Sequence, residues 1–192
     1  MKKIAILLII TVIFSSCDKI TNNDTSKKEE LAVEEFNDIN INDLYTIKIP
    51  KYMKEMKSLH DEASLKYANI FKETYTIVLD EDKQEFIDAF LSYEMYDETK
   101  TPLENYEEIQ SNNFKESIDE AEIILIGKKN INNRAAKQYL IKGKVDGIKI
   151  EYIITYIEGD KNMYLVMSWT LDHRMKKYID TFKFTHNSFK LL

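Results

Sequence analysis

The chain has 192 residues, with 27 Lys or Arg against 33 Asp or Glu, a formal charge of −6. So acidic a chain repels phosphate backbones, which excludes nucleic acid as an expected partner. Its one cysteine, Cys17, excludes an intramolecular disulfide and every multi-cysteine zinc or iron–sulfur site.

Met1-Lys2-Lys3 is a short basic start, and Ile4 to Phe14 is an almost unbroken apolar run of 11 residues. That run is too short to cross a hydrocarbon core of roughly 30 Å as a stable helix. It ends in Phe14-Ser15-Ser16-Cys17. A basic start, a short apolar stretch and small residues together read as a secretory signal. With a cysteine directly after the small pair, it resembles a bacterial lipoprotein signal, with Phe14 where Leu is usual. The resemblance implies cleavage before Cys17 and a diacylglycerol on its thiol. Two or more acyl chains, at about 0.8 kcal/mol per buried CH₂, hold a protein on a membrane where one does not. Removing residues 1–16 takes away Lys2 and Lys3, so the mature charge becomes −8. Residues 17–37 are polar and aperiodic, so they read as the lipidated cysteine and a flexible tether. Residues 38–192 are left as a single globular domain, long enough to bury a core without metal or disulfide.

Within that domain Leu44 to Ile49 alternates, and Pro50 ends it. Leu65 to Ile70 and Thr74 to Leu79 read as two short strands joined tightly through Phe71-Lys72-Glu73. Asp80 is then expected to cap a helix whose buried stripe is Phe86, Ala89, Phe90 and Tyr93. Thr101-Pro102-Leu103-Glu104 combines an N-cap Thr, a Pro at N1 and a Glu at N3, a strong helix start. Leu103, Tyr106, Ile109 (or Gln110) and Phe114 lie on its inner side. Ile123 to Ile126 is a further strand, apolar on both faces.

Ala135 to Thr170 reads as three strands in succession. Asp146-Gly147 is a hairpin signal because both residues tolerate positive φ. Glu158-Gly159-Asp160 makes the next turn. Strands apolar on both faces belong in the middle of a covered sheet. Asp172 is expected to cap a last helix carrying Met175, Tyr178, Ile179 and Phe182, and Phe189 in the tail packs back. The predicted order is three strands, two helices, four strands and one helix. The fold class expected is therefore α+β: an antiparallel sheet of about six to seven strands covered by helices on both faces.

This order resembles the PsbP-like fold, an α/β/α sandwich found in extrinsic photosystem subunits and in DcrB-like bacterial lipoproteins. The residues that carry the resemblance are Tyr45-Thr46-Ile47-Lys48-Ile49-Pro50, Tyr75-Thr76-Ile77-Val78-Leu79, and Tyr178-Ile179-Asp180-Thr181-Phe182 followed by Asn187-Ser188-Phe189. Lys51-Tyr52-Met53 stands where the family usually has Gly-Trp after the proline. The resemblance implies a scaffold or adaptor and transfers no catalytic residue.

Searching for chemistry yields little. The glycines, Gly127, Gly143, Gly147 and Gly159, are too scattered to cradle a phosphate. No Gly-x-Ser-x-Gly elbow occurs. His60, His173 and His186 show no metal-binding spacing and read as lone surface histidines. No cofactor and no metal are expected. The aromatics are more informative, because Tyr and Trp favour interfaces. Tyr52, Met53 and Met56 near the opening loop, with Tyr93 and Tyr96 between the first two helices, form the candidate partner surface.

The function expected is a binding or adaptor module of the bacterial cell envelope, lipid-anchored through Cys17, taking an envelope protein or a small ligand as partner. One alternative is a hydrolase whose site is assembled from carboxylates and a histidine, such as Asp61 and His60. The other is a structural envelope lipoprotein without a specific ligand.

Overall fold

A computed structural model describes residues 35–192, apart from the side chains of Lys128 and Lys129. The expected signal segment 1–16, Cys17 and the expected tether up to residue 34 lie outside the described residues. The chain opens with β1 (Phe36–Ile41) and β2 (Tyr45–Pro50), then β3 (Lys54–Glu55), a short 3-10 turn, β4 (Leu65–Asn69) and β5 (Thr74–Asp82). Two helices follow, α1 (Lys83–Ser92) and α2 (Pro102–Ser117). The meander is β6 (Asp119–Ile131), β7 (Arg134–Val145), β8 (Ile148–Glu158) and β9 (Asn162–Leu171). The helix α3 (Asp172–Asn187) and β10 (Lys190–Leu191) close the domain.

Seven strands form one antiparallel sheet in the order β3-β4-β5-β9-β8-β7-β6. The expected α+β sandwich is what forms. The hairpin turns follow local chemistry. Asp146 (φ 51°) and Gly147 (φ 79°) occupy the left-handed region in the two-residue loop between Val145 and Ile148, as the I′ turn requires. Asn132 and Asn133 do the same between β6 and β7.

The middle strands β9 and β8 are buried almost end to end, so each face needs its own cover. On the first face Ile77, Leu165, Met167, Tyr152, Ile154 and Tyr156 meet Phe86 and Phe90 of α1 and Leu103, Tyr106, Ile109 and Phe114 of α2. On the second face α3 brings Met175, Tyr178 and Phe182 onto Ile153. The rest of that face is covered by a small sheet, β1-β2-β10, whose Tyr45, Ile47 and Ile49 pack on Val78, Tyr164 and Val166. Phe189 stacks on Tyr45 at 4.8 Å and seals this corner.

Several expectations are corrected. The cap of α1 is Asp82, whose Oδ1 accepts from the Gln84 and Glu85 amides at 2.9 Å. Asp80 stays in β5, paired with Tyr164, because the β5–β9 ladder runs on to Asp82. At α3 the N-cap position falls on Leu171, and Asp172 supplies only its charge to the first turn. The opening strand β2 belongs to the small sheet, not the main one. Its neighbour β1 escaped notice because half its residues are exposed and polar. The strand β6 is a sheet edge, so Ile123, Ile124 and Ile126 are only half covered and Leu125 is exposed.

His186 is fully buried, contrary to the expectation of a surface histidine. It lies four residues beyond Phe182, so it continues the inner stripe of α3. Its Nδ1 is 2.8 Å from Thr155 Oγ1 and its Nε2 is 3.0 Å from Ser168 Oγ. Thr155 also accepts from Gln138 Nε2, and Ser168 shares a 2.7 Å bond with Thr76. Donors and acceptors align in one direction if a neutral ring carries its proton on Nε2, a tautomer inferred from the network.

A row of charged cross-strand pairs crosses this face. Glu151 opposes Thr170 on one side and Lys142 on the other, and Lys142 opposes Glu122. Burial, with Asp172 hydrogen-bonded beside it and Glu122 nearby, pushes the Glu151 carboxyl up to about 7, with Lys142 acting against the shift. The folded state therefore holds a proton that the unfolded chain releases near the ordinary 4.5. Stability contributed here falls as pH rises from about 4.5 to about 7. Glu151→Gln is expected to remove that slope and to be more stable above the window by on the order of 1–3 kcal/mol. Urea unfolding at about pH 5 and about pH 8 reads the difference; an unchanged slope in the variant contradicts it.

Candidate interaction surface

The connection between α1 and α2 is the most exposed apolar part of the first face. Leu91, Tyr93 and Met95 are 40%, 55% and 57% accessible. The sequence pattern put Tyr93 on the buried stripe, but α1 stops at Ser92 and Tyr93 becomes its C-cap. Glu94 then takes φ 57°. The Met95 amide donates to Phe90 O at 2.9 Å and the Glu94 amide to Leu91 O at 3.0 Å. These two bonds are a Schellman motif, with Glu94 in the left-handed position that glycine usually fills. The turn sends Tyr93 and Met95 outward. Tyr96 turns back, half-buried, with its ring edge-on to Phe86 at 6.3 Å.

The rest of the connection is fastened by Asn105, a buried polar residue on the inner side of α2. Its Oδ1 accepts from the Asp97 amide at 2.8 Å, and its Nδ2 donates to Asp97 O at 2.9 Å and Thr101 O at 3.2 Å. One amide side chain thus stands in for a strand partner to the loop. The capping box forms as expected: Thr101 Oγ1 accepts from the Glu104 amide at 3.3 Å, and Glu104 Oε2 accepts from the Thr101 amide at 2.9 Å. Between loop and helix lies an open cleft of about 350 Å³, lined by Met95, Asp97, Lys100, Glu108, Ile109 and Asn112. Lys100 lies 2.6 Å from Glu108 and 3.4 Å from Asp97. The hydroxyl and amide of Thr99 hold the Asp97 carboxyl below its ordinary range, and Glu108 raises Lys100. The cleft therefore sets apolar Met95 and Ile109 and the amides of Asn105 and Asn112 beside a charged rim.

The other residues proposed from the sequence sit elsewhere. Tyr52 is half-buried against the second-face core, with Lys72 Nζ 3.9 Å above its ring. Met53 is buried in that core and offers no surface. Met56 is half-buried against the first-face core. This segment therefore wraps around the edge of the sheet, and the structure does not join it to Tyr93 in one patch. Asn105 was missed. The available signal was a polar residue within the apolar stripe of Leu103, Tyr106 and Ile109.

For hydrolytic chemistry, His60 is half-buried and its Nδ1 accepts from the Glu62 amide at 3.2 Å. Burial lowers its pKa, while Asp61 is exposed. The cleft described above does not include either residue. Among the described residues no group of three or more His, Cys, Asp or Glu side chains could hold a metal ion. Glu81 has its carboxyl raised by burial, but it sits under α2 accepting from Tyr106 Oη at 2.9 Å and Gln110 Nε2 at 3.3 Å. Among the described residues no helix is long and apolar enough to cross a membrane.

An antiparallel seven-stranded sheet with two helices on one face, and one helix plus a small sheet on the other, defines an α/β/α sandwich of the PsbP-like kind. No family model and no curated protein matches the chain. Solved structures do. The solution structure of cyanobacterial PsbP (CyanoP) from Synechocystis sp. PCC 6803 matches with TM-score 0.55 at 11% identity, over 85% of this chain and 96% of that one. A protein of unknown function from Pseudomonas aeruginosa, PA94, described as a putative regulator, gives TM-score 0.48 at 11% identity, over 80% of this chain and 95% of that one. At this identity the first likeness shows the shared fold.

Asn105→Leu keeps the helix and removes the loop's fastener. It is expected to destabilise the protein by about 1–3 kcal/mol through the stranded loop groups. Amide exchange at Asp97 should lose its protection while β8 keeps its own; equal protection in both proteins contradicts the role given to Asn105.

Proposed function

We propose that the protein is a lipid-anchored module of the bacterial cell envelope that holds a protein partner against the α1–α2 connection. The observation that carries the reading is the exposed set Leu91, Tyr93 and Met95 on a connection held by backbone bonds and by Asn105. A surface already fixed in shape loses little entropy on binding. Tyr and Met suit such a surface, the first rigid and amphipathic, the second adaptable. The cleft beside them is at the small end for a ligand pocket and is open, which suits an inserted side chain of a partner better than an enclosed small molecule. The envelope location and the anchor are supported by the N-terminal sequence: basic start, short apolar run and Cys17 after Ser15-Ser16.

Two measurements test this. A photo-crosslinking residue at Met95, in cells, is expected to give one discrete adduct that Tyr93→Asp weakens about tenfold or more, as loss of an aromatic anchor does. Adducts no stronger than those from an exposed control site such as Lys176 overturn the partner surface. Cys17→Ala is expected to release the protein from membranes or block its processing. If that variant stays membrane-bound at the normal mature size, the anchor is wrong.

A further inference from the structure

A second exposed apolar feature lies at the tip of the β4–β5 hairpin. Phe71 is 88% accessible and Ile70 57%. Hairpin tips normally carry polar or turn-forming residues, so this pair is out of place on a protein surface. The exposure does not come from a slack loop. The Lys72 amide donates to Asn69 Oδ1 at 2.9 Å, and Asn69 Nδ2 donates to Tyr52 O at 2.7 Å. Arg174 on α3 donates to Lys72 O at 3.2 Å and pairs with Glu73 at 2.9 Å. Lys72 lies over the ring of Tyr52. Two other segments, the one at Tyr52 and α3, thus hold Ile70 and Phe71 out into solvent.

The surroundings of the tip carry charges of both signs. Lys51 and Lys54 are exposed close by, Lys54 paired in register with Ala68; Lys72 is in the tip, and Arg174 reaches it from α3. The acids at this end are Glu73, engaged with Arg174, exposed Glu55, exposed Glu35 beside Lys51, and exposed Asp172, two residues before Arg174 on α3. The tether also enters the domain here. The carbonyl of Glu35, the first described residue, accepts from the Lys51 amide at 2.8 Å, one residue from Tyr52. The chain between Cys17 and Glu35 would span about 25 Å as a flexible tether.

We propose that Ile70 and Phe71 enter the interface of a lipid bilayer, so that the anchored domain lies on its membrane in one orientation. Exposed apolar side chains flanked by lysine and arginine match the boundary between acyl chains and headgroups. Two side chains bind a bilayer weakly when alone, and the tether supplies the local concentration that makes the contact persist. In this respect the inference rests on the lipid anchor of the preceding section.

The test uses the mature protein reconstituted in vesicles of phosphatidylethanolamine with a phosphatidylglycerol minority, including dibrominated lipid as quencher. The single native indole, Trp169, is buried and provides a constant background. The F71W variant is expected to show blue-shifted emission and loss of intensity on bromolipid. Y93W, on the α1–α2 connection, is expected to stay unquenched. Equal quenching at both sites overturns the orientation, and an unquenched F71W overturns the insertion, including when native envelope membranes shield it through a protein. Mass spectrometry of Cys17 on the same samples separates the two readings. A lipid-bearing sample with unquenched F71W sinks the tip and leaves the anchor. A lipid-free sample that is quenched on adding vesicles keeps the tip and sinks the anchor, and a lipid-free unquenched sample sinks both.

Discussion

The burial of β8 and β9 on both faces governs the rest of this fold. A strand covered on one side can rest against water on the other. These two cannot, because Ile150, Tyr152, Ile154 and Tyr156 look one way while Ile153, Thr155 and Ile157 look the other. Apolar burial is worth about 25 cal/mol per Å², so leaving one face open would forfeit a large share of the folding free energy. The chain meets the demand with unlike covers. Two helices with large aromatic side chains fill the first face. The second needs a helix and a small sheet, because α3 alone leaves Val78, Tyr164 and Val166 uncovered.

The second interface is also the more specific one. Its apolar contacts are interrupted by Gln138, Thr155, His186, Ser168 and Thr76, which bond to one another in the interior. Apolar packing tolerates a shift of α3 along the sheet; this polar set does not, since a displaced His186 would strand Thr155 and Ser168 without partners. The placement of α3 carries further consequences. Its Arg174 supports the β4–β5 tip, its Asp172 bonds to the buried Glu151, and Ser188 at its end accepts from the Lys48 amide at 2.8 Å. Glu151 is a counterweight, a buried acid whose ionisation opposes the fold that encloses it.

Most of the main sheet was legible in the sequence because its signals are local. Asp146-Gly147, the Thr101 to Glu104 box and the two-sided strands each state their own structure. What was hidden depends on partners distant in the chain. The strand β1 has little apolar pattern, and its existence follows from β2 being free to pair on that side. His186 carries no local sign of burial; its place on the inner side of α3, four residues beyond Phe182, is what puts it in the interior. The candidate surface was legible only in part. Tyr93 and Tyr96 were read from composition, yet whether a tyrosine points out or in depended on Glu94 adopting a left-handed turn. Met53 illustrates the opposite error: an apolar residue in a predicted loop that the small sheet folds into the core.

The two exposed apolar sites belong to different parts of the architecture, and charge distinguishes them. The α1–α2 cleft has Asp97 and Glu108 around one lysine. The hairpin tip has Lys51, Lys54, Lys72 and Arg174 together with Glu35, Glu55, Glu73 and Asp172. An anionic bilayer repels the first more than the second, within a screening length of about 8–10 Å. A tether alone would let an acidic domain tumble at the length of its leash. In the proposed membrane contact an apolar end beside the tether root changes that, because contact through this end is favoured and contact through the acidic rim is opposed. The α1–α2 connection, built on the opposite face of the sheet from the corner where Glu35 enters, would then face away from the lipid.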